Sequence, residues 1–160
     1  MNLKDKVVLV TGSGSGIGRK TSLVCAEYGA TVIALDINEE AAKLTEKMII
    51  DADGTAMAAK ADITDRVQVH TVIEDVIARF KKIDVLVNNA GSTRLGTMVD
   101  LEDSTYDFII NLNMKGPFIM STEVAKVMIP RRSGRIINIT SYCAVRGEFA
   151  NAPYCMAKAG

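Results

Sequence analysis

Two hydrophobic patterns alternate along this chain. Short runs that are apolar at every position and rich in β-branched residues are followed by longer stretches in which apolar residues recur every three or four positions. The first pattern predicts strands buried on both faces, and the second predicts helices that cover them. We therefore expect an α/β fold with a doubly wound parallel sheet. The expected strands span 7–10, 31–35, 55–61, 85–87 and 135–140.

The helical stretches between the strands carry end signals of their own. Asn38 is a suitable N-cap for a helix over 39–50, because its side chain can accept a hydrogen bond from a first-turn N–H group. The apolar positions of that helix predict that Ala42, Leu44 and Met48 face the sheet. Other helices are expected to begin at Ile17, at Thr64 or Asp65, and at Pro153.

A longer helical stretch is expected over about 104–129. Gly116 and Pro117 lie inside it. Proline lacks the N–H group that a helix interior requires, so we expect the helix to bend there.

Composition narrows the classes of function. Of the 160 residues, 48% are apolar and 24% are charged, which is typical of a single globular domain, here 1–160. Lysine plus arginine equals aspartate plus glutamate at 19 each. There is no basic run, and no apolar run approaches the roughly 18 residues of a membrane span. We therefore expect neither a nucleic acid nor a membrane as a partner.

Cysteine and histidine usage argues against a metal site. The three cysteines have no metal or redox spacing, and the only histidine is His70. We expect reduced thiols and a cytoplasmic protein. The first strand is predicted to begin after six residues, so we expect no signal peptide before it.

A glycine-rich turn follows the first strand. Gly12, Gly14, Gly16 and Gly18 lie within seven residues, and helical spacing begins at Ile17. Glycine permits a sharp turn and the close approach of a ligand, and a helix N-terminus offers unpaired N–H groups to an anion. Glycines alone would fit a flexible loop equally well. The strand before them and the helix after them favour a dinucleotide site with the pyrophosphate over this turn.

Asp36 bears on the choice of dinucleotide. It ends the second strand, 18 residues after Gly18, where an acidic side chain can reach the adenosine ribose hydroxyls. A carboxylate there would repel a 2′-phosphate, and neither Ser15 nor Ile37 supplies a cation to attract one. NAD is therefore favoured over NADP. The alternative is a carboxylate that only opens the following turn.

Three polar residues near the end of the chain suggest proton chemistry. Tyr154 and Lys158 are four residues apart, so on a helix their side chains share a face. A phenol is a poor base at neutral pH, but an adjacent ammonium stabilises the phenolate and lowers the pKa of the phenol. Ser141 follows the fifth strand at the edge of the sheet where ligands bind, so its hydroxyl can reach a reacting oxygen.

These features together resemble the short-chain dehydrogenase/reductase family over residue 5 to the last residue. The Tyr106-Asp107 pair differs from the family's usual Trp-Asp. The motifs that carry the resemblance, in order, are Thr11-Gly12-Ser13-Gly14-Ser15-Gly16-Ile17-Gly18, Asp62-Ile63, Asn88-Asn89-Ala90-Gly91, Asn113 in Asn-Met-Lys-Gly, Ser141, and Tyr154-Cys155-Met156-Ala157-Lys158.

The resemblance implies specific roles. Tyr154 would be the general acid/base, and Lys158 would lower its pKa and hold the nicotinamide ribose. Ser141 would orient the substrate carbonyl, and Asn113 would hold a water that links Lys158 to solvent. Asn88 would tie the central strands together. The residues expected to bind the cofactor are Gly12, Gly14, Ser15, Gly16, Ile17, Asp36, Ile37, Asp62, Ile63, Asn89, Ala90, Gly91, Tyr154 and Lys158.

Three alternatives to an NAD-dependent alcohol or ketone oxidoreductase remain. A 3-oxoacyl-(acyl carrier protein) reductase has similar spacing from Asp62 to Lys158, but such enzymes usually prefer NADPH and carry a basic residue where this chain has Ser15. A truncated, catalytically inactive cofactor-binding fragment or scaffold is the non-enzyme alternative. Extended sugar-nucleotide epimerases also use Tyr-x-x-x-Lys, although their glycine spacing usually differs.

The family resemblance also raises expectations about completeness and assembly. Family members generally have seven strands and a substrate loop after the sixth, whereas five strands are expected here. We therefore expect a chain that is incomplete at its C-terminal side, with 136–139 as an uncovered sheet edge. Relatives commonly pair through the helices that correspond to 104–129 and to the one at Pro153, so the resemblance implies a homodimer or homotetramer. It also implies a small-molecule alcohol or ketone as the substrate.

Overall fold

The apolar runs form one parallel sheet in the computed structural model, which describes residues 2–160. In space the strands follow the order β3-β2-β1-β4-β5, and each neighbouring pair is parallel. The order reverses at β1, so the loops after β1 and β4 diverge and leave a crevice between them. The expected α/β fold is confirmed. The strands are β1 (Val7–Thr11), β2 (Thr31–Asp36), β3 (Thr55–Lys60), β4 (Val85–Asn88) and β5 (Arg135–Asn138).

Helices cover the two faces of the sheet. Alternate residues of β1 point to opposite faces: Leu9 packs in the core shared with α3 and α5, whereas Val8 and Val10 pack in the core on the α1 and α2 side. A strand that is apolar at every position is thus buried on both faces, as its pattern predicts. The helices are α1 (Gly16–Glu27), α2 (Glu39–Ile50), α3 (Arg66–Phe80), α4 (Asp103–Ile110), α5 (Gly116–Arg131) and α6 (Ala152–Ala159).

Helix α2 presents a different face to the sheet from the one expected. Asn38 caps it as predicted, accepting a hydrogen bond from the Ala41 N–H at 3.1 Å. Of the three residues expected inside, Ala42 is buried, but Leu44 and Met48 are 48% and 40% exposed. Thr45 and Ile49 are buried instead. The side chain of Thr45 is tolerated there because its hydroxyl donates to the Ser13 carbonyl at 2.7 Å.

The stretch expected as one bent helix contains a π-helical turn, Asn111–Lys115, between α4 and α5. The interruption therefore lies next to the expected position, and Pro117 follows it in the first turn of α5. The backbone stays helical through the π-turn, so the missing N–H group of Pro117 removes a helical hydrogen bond from this region. The irregularity widens the turn that carries Asn113, and π-helical turns frequently occur at functional sites.

Strand β5 forms an edge of the sheet and ends at Asn138 rather than at 140. All four of its residues are exposed, including Ile136 and Ile137 at 39% and 47%. The expectation of an uncovered apolar edge is confirmed. No helix within residues 2–160 is long and apolar enough to cross a membrane.

Candidate active site

One cleft of about 990 Å³ runs along the carboxyl ends of the strands. It joins the glycine turn after β1 to the first turns of α6. The expected site residues that line it are Gly12, Ser15, Gly16, Ile17, Asp36, Ile37, Asp62, Ile63, Asn89, Ala90, Gly91, Ser141, Tyr154 and Lys158. The lining residues not singled out from the sequence are Leu35, Ala61, Thr64, Phe108, Asn111, Leu112, Ile139 and Thr140.

Contacts at Gly12 and Gly18 leave no space for a Cβ atom and shape the glycine turn. Gly12 has a φ of +67°, and a Cβ there would lie 2.9 Å from the α-carbon of Ala90. A Cβ on Gly18 would overlap the carbonyl oxygen of Gly12, so α1 packs directly against the turn. Ser15 precedes α1 without a side-chain cap hydrogen bond. The first N–H groups of α1 are therefore without a side-chain partner at the cleft wall.

Asp36 is fixed at the edge of this turn. Its carboxylate accepts hydrogen bonds from the N–H groups of Gly14 at 2.8 Å and Asn38 at 2.9 Å. A Cβ on Gly14 would lie 2.7 Å from the same carboxylate and 2.7 Å from the side chain of Ala41. Gly14 therefore lies behind the cleft wall and holds Asp36, whereas Asp36 itself lines the cleft.

Arg19 lies beside the glycine turn, and its guanidinium makes hydrogen bonds to protein groups there. Its Nε donates to the Thr45 hydroxyl at 3.0 Å, and another of its N–H groups donates to the Gly14 carbonyl. Its guanidinium thus braces the glycine turn from the α1 side. Arg19 is not among the positions predicted to bear on the choice of cofactor, because its place in the helical pattern of α1 does not indicate that it reaches the turn.

Thr11 contributes to the site, although no role for it was predicted from the sequence. It is fully buried at the end of β1, and its hydroxyl oxygen accepts from the N–H groups of Asn89 and Ala90 at 3.0 Å each. The Asn89 side chain donates back to the Thr11 carbonyl at 2.9 Å. These bonds fix the loop after β4 beside the glycine turn. The sequence feature that could have indicated this role is a hydroxyl residue at the end of an apolar strand.

Asn88 links the central and edge strands to a helix. Its side-chain NH₂ donates to the Asn138 side chain at 2.8 Å and to the Ser121 hydroxyl at 3.0 Å. Because β4, β5 and α5 meet at this residue, its expected structural role is confirmed.

Asn113 lies in the π-helical turn, buried behind the cleft rather than in its wall. Its NH₂ group donates to the carbonyls of Ser92 at 2.7 Å and Ile109 at 2.9 Å. Its side-chain oxygen is buried and has no hydrogen-bond partner within residues 2–160. A buried acceptor without a partner is costly, so this position is suited to a bound water or another donor.

Lys158 connects this region to Tyr154. Its ammonium donates to the Ile139 carbonyl at 3.0 Å and lies 5.6 Å from the centre of the Tyr154 ring. Burial lowers the pKa of Lys158. The side chain is held between Ile139, which directly follows β5, and its own helix.

Ser141 and Tyr154 reach the cleft from opposite ends of one segment. The Ser141 hydroxyl oxygen accepts from the Cys143 N–H at 3.2 Å, which leaves the Ser141 proton available to donate. Helix α6 begins at Ala152, with Pro153 in its first turn, and presents half-buried Tyr154 and Lys158 to the cleft. The arrangement combines a hydroxyl donor, a phenol and an ammonium at one end with an anion-accepting turn at the other.

Comparison with known proteins places these features in a family. The family described as short chain dehydrogenase matches residues 6–160. The chain is 40% identical over 165 residues to a 3-oxoacyl-[acyl-carrier-protein] reductase FabG of Thermotoga maritima, covering 100% of this chain and 65% of the relative. It is 38% identical over 160 residues to a galactitol 2-dehydrogenase of Agrobacterium fabrum, covering 99% of this chain and 61% of the relative.

A solved structure of NAD⁺-bound xylitol dehydrogenase matches the fold with a TM-score of 0.96 and 32% sequence identity. The match covers 99% of this chain and 62% of that one. The chain thus spans under two thirds of the length of these relatives.

Proposed function

This chain belongs to the short-chain dehydrogenase family, and on that premise we propose that the protein interconverts an alcohol and a carbonyl with NAD as cofactor. The observation that supports this most strongly is the single cleft that joins the glycine turn to Ser141, Tyr154 and Lys158. A dinucleotide is long enough to extend from one end of such a cleft to the other. Reduction of a carbonyl requires a proton donor beside the reactive end of the cofactor.

The residues present suit a dinucleotide. Gly16 lines the cleft, and a Cβ there would enter open space, so glycine at this position leaves room for a ligand. The uncapped start of α1 suits a diphosphate. Asp36 would accept from the adenosine ribose hydroxyls, and Asp62 and Ile63 would border the adenine. When bound, the cofactor would supply the hydride acceptor or donor.

The chain's own residues would handle the proton. In carbonyl reduction, the Tyr154 hydroxyl would give its proton to the substrate oxygen, and Ser141 would donate a hydrogen bond to that same oxygen. The Lys158 ammonium would stabilise the phenolate that Tyr154 becomes. In alcohol oxidation, the same phenolate would take the proton back.

Asn113 would help to return that proton to solvent. Its side-chain oxygen has no partner within residues 2–160, and it faces Gly91 together with the Lys158 ammonium. We propose a water that donates a hydrogen bond to this oxygen and accepts one from the Lys158 ammonium. This role would explain why an asparagine with an unpaired oxygen lies in a widened helical turn.

NAD is proposed over NADP because of the charges around the adenosine end. Asp36 holds a carboxylate where a 2′-phosphate would lie, and Arg19 is engaged by Thr45 and Gly14. The NAD⁺-bound state of the similar xylitol dehydrogenase agrees with this choice.

A second candidate is reduction of a 3-oxoacyl-(acyl carrier protein) with NADPH. The 40% identity to the reductase of Thermotoga maritima favours it. Initial rates with NADPH and NADH separate the two candidates, because a strong NADPH preference would contradict the proposed role of Asp36.

For assembly and location, we propose a homodimer or homotetramer that acts on a small-molecule substrate in the cytoplasm. The unpaired thiols of Cys25, Cys143 and Cys155 are compatible with a reducing compartment. Light scattering of the full-length protein tests the assembly, and a monomer would contradict it.

The proposed reaction is tested by Tyr154→Phe in the full-length protein. A screen of alcohols with NAD⁺ and of ketones with NADH, followed by NADH absorbance, identifies a substrate. Tyr154→Phe is then expected to abolish turnover while NADH binding persists. Tyr28→Phe, at the far end of α1, is the matched control. Undiminished turnover by Tyr154→Phe would refute the assignment.

A further inference from the structure

The segment 142–151 connects two groups that must act on one substrate oxygen. Ser141 lies before it, and α6 with Tyr154 follows it. Apart from a single 3₁₀ turn, Tyr142–Ala144, the segment has no regular structure. Such a segment keeps one conformation only if side-chain contacts offset its conformational entropy.

Glu148 makes three of these contacts. Its carboxylate accepts hydrogen bonds from the Tyr142 hydroxyl at 2.5 Å, from the Asn151 side-chain NH₂ at 2.7 Å and from the Cys143 thiol at 3.2 Å. These bonds lower the pKa of Glu148, with the Tyr142 bond as the main cause. The same bond raises the pKa of Tyr142 to about 12. The carboxylate is therefore ionised at neutral pH, and its hydrogen bonds are charge-assisted.

Two of the donors are buried, although Glu148 itself is exposed. Cys143 and Asn151 are 4% and 3% exposed. Removal of the carboxylate would leave the buried amide of Asn151 with an unpaired donor, which costs more than the loss of a hydrogen bond at the surface. The exposed carboxylate thus holds groups that solvent does not reach.

Each buried donor is tied to one end of the segment. The Cys143 N–H donates to the Ser141 hydroxyl oxygen, so the position of Cys143 sets the orientation of Ser141. Asn151 directly precedes α6, and its carbonyl accepts from the Cys155 N–H at 3.0 Å. The Asn151 side-chain oxygen also accepts from the Thr93 hydroxyl at 2.6 Å, which fixes it to the loop after β4.

We propose that Glu148 is a positioning residue that holds Ser141 and Tyr154 in the relative arrangement the reaction needs. Glu148 does not line the cleft, so it acts through Cys143 and Asn151 rather than on the substrate. The proposal rests on the proposed function for its effect on turnover, but the hydrogen-bonded arrangement itself can be tested without turnover.

The test compares Glu148→Ala and Glu148→Gln with the wild type in the full-length protein. Glu102→Gln is the matched control, because Glu102 is an exposed carboxylate whose side chain, within residues 2–160, accepts only from nearby Ser104. A displacement of catalytic groups by about an ångström costs up to about a hundredfold in rate, so we expect Glu148→Ala to lower kcat by about tenfold to a hundredfold. The NADH dissociation constant should stay within about twofold of the wild type, since the glycine turn is untouched. Glu148→Gln keeps one acceptor and should recover part of the rate.

A second readout needs no substrate. Peptide mass spectrometry after iodoacetamide treatment measures the alkylation rate of Cys143, and release of its thiol in Glu148→Ala should raise that rate by at least about tenfold. If Glu148→Ala does not fold, Tyr142→Phe removes one of the three bonds from an exposed side chain and should still accelerate alkylation.

The two proposals fail in different ways. A wild type that turns over, with Glu148→Ala at the same kcat, would overturn the positioning role and leave the proposed function intact. Unchanged alkylation of Cys143 in both Glu148→Ala and Tyr142→Phe would also overturn it. A wild type that neither binds NADH nor turns over would instead refute the proposed function, while faster alkylation would still support the hydrogen-bonded arrangement.

Discussion

The side-chain oxygen of Asn113 and the ammonium of Lys158 face the same point, the α-carbon of Gly91. A Cβ atom built on Gly91 would lie 2.6 Å from that oxygen and 3.3 Å from that nitrogen. The two polar groups come from the π-helical turn and from α6, and the loop after β4 passes between them. The hydrogen at Gly91 thus leaves the space in which a proton could pass between the two side chains.

Gly91→Ala is therefore expected to lower turnover without straining the backbone. The added methyl group would push the Asn113 oxygen away from Lys158, and we expect kcat to fall by about tenfold or more. Gly147→Ala is the matched control, since a Cβ at Gly147 meets nothing within 4 Å. Steady-state kinetics measures both variants. Equal rates for Gly91→Ala and the wild type would exclude a role for this space.

Gly12→Ala is expected to weaken cofactor binding and the fold together. Alanine would take a φ of +67° and place its methyl group 2.9 Å from the α-carbon of Ala90. We expect a loss of about 1–3 kcal/mol in unfolding free energy from the strained φ, with a further loss from the contact. Gly16→Ala separates the two causes, because Gly16 has a φ of +51° but nothing within 4 Å of its Cβ position.

Urea unfolding and NADH fluorescence titration measure these effects. Gly12→Ala should be less stable than Gly16→Ala. It should also bind NADH at least about tenfold more weakly than the wild type, since the added methyl group would displace the loop at Ala90, which lines the cleft. A Gly12→Ala protein with wild-type NADH affinity would contradict the placement of the cofactor over this turn.

Asp36→Asn tests the choice of cofactor. The substitution removes the negative charge at the cleft edge but keeps an oxygen that can accept from the Gly14 N–H. We expect the NADPH-to-NADH ratio of kcat/KM to rise by about tenfold, which corresponds to about 1.4 kcal/mol of relative binding. Asp51→Asn, which alters an exposed ion pair with Lys47, is the control. An unchanged ratio would show that Asp36 does not discriminate between the two cofactors.

The ion pairs of Glu123 lead us to expect that the protein loses stability in acid. Its side chain is 2% exposed and contacts Lys126 at 2.8 Å, Arg66 at 2.6 Å and His70 at 3.3 Å. The hydrogen bond from Lys126 is the main cause that lowers the pKa of Glu123 from 4.5 to about 2; burial opposes it, and Arg66 and His70 add to it. A carboxyl group whose pKa is lowered by folding stabilises the protein above its unfolded pKa, and this stabilisation disappears as the pH falls through the folded pKa.

Glu123→Gln should therefore be less stable than the wild type by about 1–3 kcal/mol at pH 7. The difference should shrink as the pH falls from 4.5 towards 2, because the wild-type carboxylate then becomes protonated. Urea unfolding at several pH values measures the difference. A difference that stays constant across this range would mean that the ion pairs of Glu123 do not stabilise the fold.

The sequence predicted most of the architecture because the strongest patterns are local. Apolar runs located the five strands, and the glycines after Val10 located the turn at the switch in strand order. Asp36 and Ser141 could be expected at the cleft because parallel strands gather their carboxyl ends at one edge. Asp62, Ile63 and residues 89–91 were named from the family resemblance alone.

The remaining features depend on contacts that periodicity does not encode. The burial of Thr45 in place of Leu44 follows from a hydrogen bond to Ser13, a residue distant in sequence. The π-helical turn at Asn113 has no composition signal of its own. Glu148 reads as an ordinary surface carboxylate until the fold brings Cys143 and Asn151 to it.

The central claim is that one cleft holds the cofactor with its reactive end beside Tyr154. A crystal structure of the full-length protein with NAD⁺ tests it most directly. We predict the diphosphate over the turn from Gly12 to Ile17, with the nicotinamide ring next to the Tyr154 hydroxyl. A cofactor bound elsewhere, or one whose nicotinamide ring lies away from Tyr154 and Lys158, would contradict the account.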